Sequence, residues 1–199
     1  MAARQHRPVA QQRLALMLVD VLNPFDFDGA DALFPSALAA ARAIASLQAR
    51  ARLLGIPSIY LNDNFGYWHL GFRELVEMFR GEDQRGRRII DLLDPDPARD
   101  HFVLKPMHSG FFQTGLEVLL RRLAAETLVI TGIAGDICVF FTANDAYMRD
   151  FRVVVPTDCV ASERPEDNAH ALRQMARILK ADVRPAGEID FARLGASTV

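Results

Sequence analysis

An acid, a lysine and a cysteine stand apart in this 199-residue chain because each follows an apolar run of β type. Asp20 closes LALMLVD, Lys105 follows HFVL, and Cys138 lies behind the turn TGIAGD. In an open parallel sheet, ligands bind outside the carboxyl ends of the strands, so these three side chains converge on one edge. Singly, each has an ordinary reading: a turn-forming Asp, a solvated Lys, a Cys that packs as a small hydrophobe. Together they suit nucleophilic catalysis. A free thiol titrates near about 8.5, so little of it is thiolate at neutral pH. A neighbouring lysine lowers that value and a carboxylate can take the proton. Gly132 and Gly135 permit backbone geometries that a Cβ would obstruct. Asp136 is read as an N-cap, which puts Cys138 in the first turn of a helix, where unpaired N–H groups and the positive dipole end favour a thiolate or an oxyanion. Cys159, in PTDCVAS, has no lysine or glycine-rich turn of its own and reads as structural. Nothing else suggests an oxidising compartment, so both cysteines are expected as free thiols.

The elements that must position these residues alternate along the chain. Apolar runs at 14–20, 56–61, 101–104, 127–131 and 152–156 read as strands, with a short sixth at 181–184. Helical periodicity covers 35–54, stopped by Gly55 and Pro57, and then 114–126 and 136–149. Pro165 suits the first position of a helix reaching Lys180, with Glu166 and Asp167 at its positive end. The irregular part, 62–100, holds a helix at 72–80, the charged turn GEDQRGRR and the proline-rich DPDPARD. Continuous apolar strands separated by helices imply a three-layer α/β/α fold with a mostly parallel sheet covered on both faces. No repeat or linker divides the chain, so residues 14–199 form one domain behind a loose, polar and basic arm at 1–13.

Composition narrows the partners. Half the residues are hydrophobic, 24% are charged and the net charge is −2, which gives no basic field for nucleic acid and no cationic face for a membrane. No apolar run approaches the roughly 20 residues of a membrane span, and the stretch after the arm is too short for a signal-peptide core. A cytoplasmic protein acting on a small molecule is expected.

Three segments carry a family resemblance: LMLVDVLNPF, LKPMHSGFFQTGLEVLL and TGIAGDICVFFTANDAYMRDFRVVVPTDCVAS. They are similar to the isochorismatase-like cysteine hydrolases, which include nicotinamidases, N-carbamoylsarcosine amidases and isochorismatases. The resemblance implies a six-stranded, Rossmann-like parallel sheet and a triad at Asp20, Lys105 and Cys138. It also implies a non-proline cis peptide at Ile133–Ala134, which lets the N–H groups of Ala134 and Cys138 face an oxyanion, and a homo-oligomer, dimer or tetramer. The implied reaction is hydrolysis of a small amide, ureido or imide C–N bond through a thioester. A vinyl-ether hydrolase using Asp20 without a thiol nucleophile is the rival within the family, and a non-catalytic binding protein is the rival outside it.

The chain departs from the nicotinamidase pattern after the second strand, where those enzymes bind a metal through an Asp-x-His pair and a further His. Asp63 and His69 alone make a poor metal site, so no metal or other cofactor is expected, and nicotinamide is not the expected substrate. Asn64, Phe65 and Trp68, together with Phe112, are candidates for the wall of a substrate pocket; ordinary loop packing is the competing reading.

Overall fold

The computed structural model describes residues 13–81 and 84–196. The expected arm lies outside these residues except for Arg13, whose guanidinium pairs with Glu126. The first strand, β1 (Leu14–Val19), is buried at every position, as a run of Leu, Ala, Met and Val must be when both faces of a sheet are covered. Its side chains alternate between two cores. Leu14, Leu16 and Leu18 join one, and Ala15, Met17 and Val19 join the other.

Around β1 stand β2 (Ser58–Asp63), β3 (His101–Lys105), β4 (Thr127–Ile133), β5 (Arg152–Val154) and β6 (Val160–Ala161). The order is β3-β2-β1-β4-β5, and every pairing is parallel. β5 pairs with the first half of β4, and β6 pairs with its end through Gly132↔Val160 and Ile133↔Ala161. The sixth strand is therefore at 160–161, not at 181–184, where only Val154↔Asp182 forms an isolated bridge. The Asp182 carboxylate accepts the Arg184 N–H at 3.1 Å, a local turn that competes with further pairing. The chain steps outward from β1 through β2 to β3, then returns to the other side of β1 as β4. This reversal opens a crevice at the carboxyl ends of β1 and β4.

Helices α1 (Ala30–Leu53), α2 (Phe72–Phe79) and α3 (Arg87–Leu93) cover one face. On the other lie α4 (Leu116–Arg122), α5 (Phe140–Tyr147) and α6 (Pro165–Ile178), with Pro165 in the first turn as expected. A short α7 (Phe191–Ala196) follows. α1 begins five residues before the expected start at Pro35. Burial of Ala30, Leu33 and Phe34 draws the helix back, while Pro35 and Asp31, whose carbonyl loses its bond to the proline, are both exposed. By length and hydropathy alone α1 could cross a membrane, but half of the qualifying window is buried inside the protein. α3 starts on the last two arginines of the expected charged turn and runs on through 89–93 of the irregular part, burying Ile89, Ile90 and Leu93 while its arginines stay outside.

Candidate active site

Asp20 is the residue at which β1 ends. Its N–H still bonds the Leu61 carbonyl at 2.9 Å, and its φ of 49° turns the chain sharply away, a conformation that Asp tolerates better than most residues. Asn62 holds this turn. It lies within β2 rather than after it, is 1% exposed, and both accepts from and donates to the backbone of Leu22, at 3.1 and 2.9 Å. The side chain of Asp20 is thereby fixed, with Oδ1 accepting the Asp63 N–H at 2.7 Å and Oδ2 against Lys105 Nζ at 2.8 Å.

Lys105 comes from β3, two strand spacings from β1, roughly 10 Å. A long stem is needed to cross β2, and a shorter cation at this position would not reach. Its ammonium meets three acceptors: Asp20 Oδ2 at 2.8 Å, the Met107 carbonyl at 3.2 Å and Cys138 Sγ at 3.5 Å. That matches the donor capacity of a lysine, which is why a side chain that is entirely buried remains charged. Burial favours the neutral amine, but Asp20, Cys138 and Asp63 together outweigh it and raise the Lys105 pKa.

Cys138 sits on a π-helical turn, Gly135–Val139, that leads directly into α5. Such wide turns recur at functional sites. The expected Asp136 cap is not made. The cap is Ala134, whose carbonyl accepts the N–H groups of Ile137 and Val139 at 3.2 and 3.1 Å, while the Asp136 N–H donates to Ser162 Oγ at 3.1 Å. The Ile133–Ala134 peptide is cis. Gly132 has φ 117°, and a Cβ there would meet the Val19 carbonyl oxygen at 2.0 Å. Since the obstacle is backbone, Gly132→Ala is expected to cost about 3 kcal/mol in urea unfolding. Activity should fall in the folded fraction too, because the strand displaced is the one that ends at Asp20.

The electrostatics reverse one expectation. Burial, then Asp20, push the Cys138 thiol up to about 12 against the pull of Lys105, so the resting group is a thiol and not a preformed thiolate. Burial also lifts the Asp20 carboxyl above its ordinary value, although Lys105, Cys138 and the Asp63 N–H all oppose this. The two groups share a proton-transfer contact, with Lys105 beside both. Cys159 is buried at 0% exposure, its thiol raised by burial and by Asp158; it has no route to solvent. Neither cysteine is in a disulfide.

A cavity of about 220 Å³ opens beside Lys105. Asn64, Trp68 and Tyr67, another aromatic of the same segment, are in its wall, joined by Leu104, Pro106 and Gln113, which sequence reasoning did not select. Phe65 and Phe112 are not. Phe65 turns inward and packs edge-on against Phe79, with centroids 5.2 Å apart, and Phe112 is half exposed to solvent. Side-chain direction in a loop follows from packing partners, which spacing alone does not reveal. The Asp63 carboxylate accepts the Phe65 N–H at 2.7 Å, and His69 packs against Tyr67. Among the described residues, no group of three or more His, Cys, Asp or Glu is placed to hold a metal ion.

Two further features escaped the sequence. His108 is exposed, with Nδ1 3.9 Å from Cys138 Sγ. Ser109 Oγ donates to Asp145 Oδ2, and Asp145 also receives Arg149 Nη1 at 2.6 Å. This tie joins the segment after β3 to α5 and so sets Lys105 and Cys138 relative to each other.

The doubly wound parallel sheet places a buried, lysine-centred site at its strand reversal. The Isochorismatase domain matches residues 15–184, and the chain belongs to that family. It is 41% identical over 175 residues to the uncharacterized isochorismatase family protein YaaI of Bacillus subtilis (strain 168), covering 88% of this chain and 95% of that one. It is 30% identical to the ureidoacrylate amidohydrolase RutB of Pantoea ananatis (strain LMG 20103), covering 78% and 72%. The N-carbamoylsarcosine amidase of Thermoplasma acidophilum superposes with a TM-score of 0.68 at 27% identity, covering 89% of this chain and 99% of that one.

Proposed function

We propose that this hydrolase cleaves a C–N bond of a small amide, ureido or imide compound through a thioester on Cys138. The observation that carries the reading is the Lys105 ammonium, which touches the Asp20 carboxylate at 2.8 Å and the Cys138 sulfur at 3.5 Å, on a residue that also lines a cavity. Asp20 takes the thiol proton as the sulfur attacks the substrate carbonyl, and Lys105 steadies the negative charge on sulfur. The backbone N–H groups of Ala134 and Cys138 receive the oxyanion, ordinarily the largest part of such a rate enhancement. Asp20 then returns the proton to the departing nitrogen. The cavity, about 220 Å³, is below the roughly 300–1,000 Å³ of drug-sized ligand sites and suits a small substrate. Asn64 and Gln113 offer amide partners, and Tyr67 and Trp68 offer flat surfaces, to a planar carbamoyl or ureido group. The names of the amidohydrolase and amidase relatives support the same bond type.

The test is a panel of small amides and ureido compounds with intact-mass detection. An adduct equal to the acyl fragment, mapped to Cys138 and chased by hydroxylamine, is expected with the best substrate. Turnover of amides with no adduct on Cys138 under single-turnover quenching would remove the thioester from the mechanism.

A further inference from the structure

The acid–base apparatus on the buried side of the sulfur serves the first half of a thiol reaction. Asp20 is 6% exposed, with Oδ1 engaged by the Asp63 N–H and Oδ2 by Lys105. The second half, hydrolysis of the thioester, needs a water to lose a proton beside the acyl carbon, and water reaches that carbon from the open side. Burial around the sulfur is graded accordingly: Asp20 and Lys105 are buried, Cys138 is half-buried, and His108 is exposed. His108 follows Lys105 by three residues, and its ring leans over Phe141 of α5 with centroids 5.6 Å apart. Its Nδ1 faces Cys138 Sγ at 3.9 Å. A base at that distance from the sulfur can hold a water against the carbon bonded to the sulfur, because such hydrogen bonds span about 2.6–3.2 Å. The titratable and charged groups facing the imidazole are Cys138 from the π-helical turn and, beyond the sulfur, Lys105 from β3 and Asp20 from the end of β1. Phe141, from α5, brings no charge.

We propose that His108 is the catalytic base of the deacylation step, with Nδ1 taking a proton from the water that attacks the Cys138 thioester. This rests on the reading of Cys138 as nucleophile. The water O–H bond breaks, its proton passes to Nδ1, and a C–O bond forms at the acyl carbon. When the tetrahedral adduct collapses, the C–S bond breaks and its electron pair returns to the sulfur beside Lys105. The imidazolium then gives its proton to that sulfur across the 3.9 Å gap. A carboxylic acid leaves, and thiol and neutral imidazole are restored with no other reactant.

The test uses the full chain and p-nitrophenyl acetate, which acetylates a reactive thiol whatever the natural substrate. The burst of p-nitrophenolate reports acylation. Loss of the acetyl mass from isolated acetyl-enzyme, followed between pH 5 and 9, reports deacylation. His108→Gln and His108→Asn should retain the burst and slow the decay about 100-fold, with partial rescue by added imidazole. Decay within about three-fold of wild type in both variants overturns the proposal, and so does a burst lost in parallel with the decay. A wild-type chain that gives no acetyl adduct, or an adduct that persists in Cys138→Ala, overturns the nucleophile reading and this proposal with it. Normal acetylation of Cys138 with unaltered decay in the variants overturns the role of His108 alone.

Discussion

Cys138→Ala is expected to lower amide turnover by at least about 10³-fold, to the level that binding and the backbone donors alone sustain. The side chain is small and half-buried on the π-helical turn before α5, so the fold should survive, and circular dichroism with a thermal melt checks that it does. Asp20→Asn should fall by a comparable factor, because the thiol, held near 12, then has no group to receive its proton. The double variant should be no worse than either single one, since the two residues act as a unit. A vinyl-ether hydrolase gives a different pattern. There the acid alone handles the proton, so the alanine variant keeps most of its rate and only Asp20→Asn is inactive. Measuring kcat/KM for both variants on one amide and one vinyl ether separates the two chemistries.

Lys105→Met carries the second large effect, and its sign follows from the buried pair. Burial already raises the Asp20 carboxyl against the opposing ammonium. Without the ammonium the carboxyl rises further, stays protonated over a wider pH range and takes the thiol proton less readily. The wild-type acid limb of kcat/KM should therefore lie above the ordinary carboxylate value of about 3.9, with activity lost as pH falls through the raised Asp20 value. In Lys105→Met the limb should move upward, with at least a 100-fold loss at neutral pH. On the alkaline side, the raised Lys105 and a thiol near 12 predict no loss of wild-type activity below about pH 10.

The folding stability follows the same groups. A carboxyl raised in the fold binds its proton more tightly folded than unfolded. Its contribution declines as pH climbs from the unfolded value to the folded one and then levels off. Removing the cation widens that window. Stability near neutral pH should drop by about 3 kcal/mol and partly recover in acid, where Asp20 is neutral. Urea titrations at two pH values read this directly.

Much of this architecture was legible because β1 is apolar throughout and β2 and β4 carry apolar cores at 59–61 and 128–130, and such runs announce strands buried on both faces. Asp20, Lys105 and Cys138 were visible for the same reason: a polar residue at the end of such a run must lie at the sheet edge. What stayed hidden depends on tertiary contacts. β6 has two residues, too few to show a period, and exists because the end of β4 offers it a partner. The early start of α1 is set by the burial of Leu33 and Phe34, which overrides the proline. α3 has seven residues between a charged turn and a proline-rich stretch, too few to show a helical period. The Asp136 cap failed because a π-helical turn moves the capping position to Ala134. His108 gave no signal, since one histidine in a loop says nothing about a sulfur thirty residues on. Its place is set by the packing of the segment after β3 against α5.

The position of β1 at the centre of the sheet also has a consequence for synthesis. One flank of β1 is closed early by β2, but Leu14 waits for Thr127 to close the other. A chain emerging from the ribosome N-terminus first thus carries an open central strand until β4 appears, the long-range pairing that slows folding. Asp20 and Lys105 are made before Cys138, yet the sulfur joins them only when that last flank zips. A truncated or half-folded chain then exposes an ordinary thiol with no proton acceptor, and catalytic competence becomes a readout of completed sheet closure.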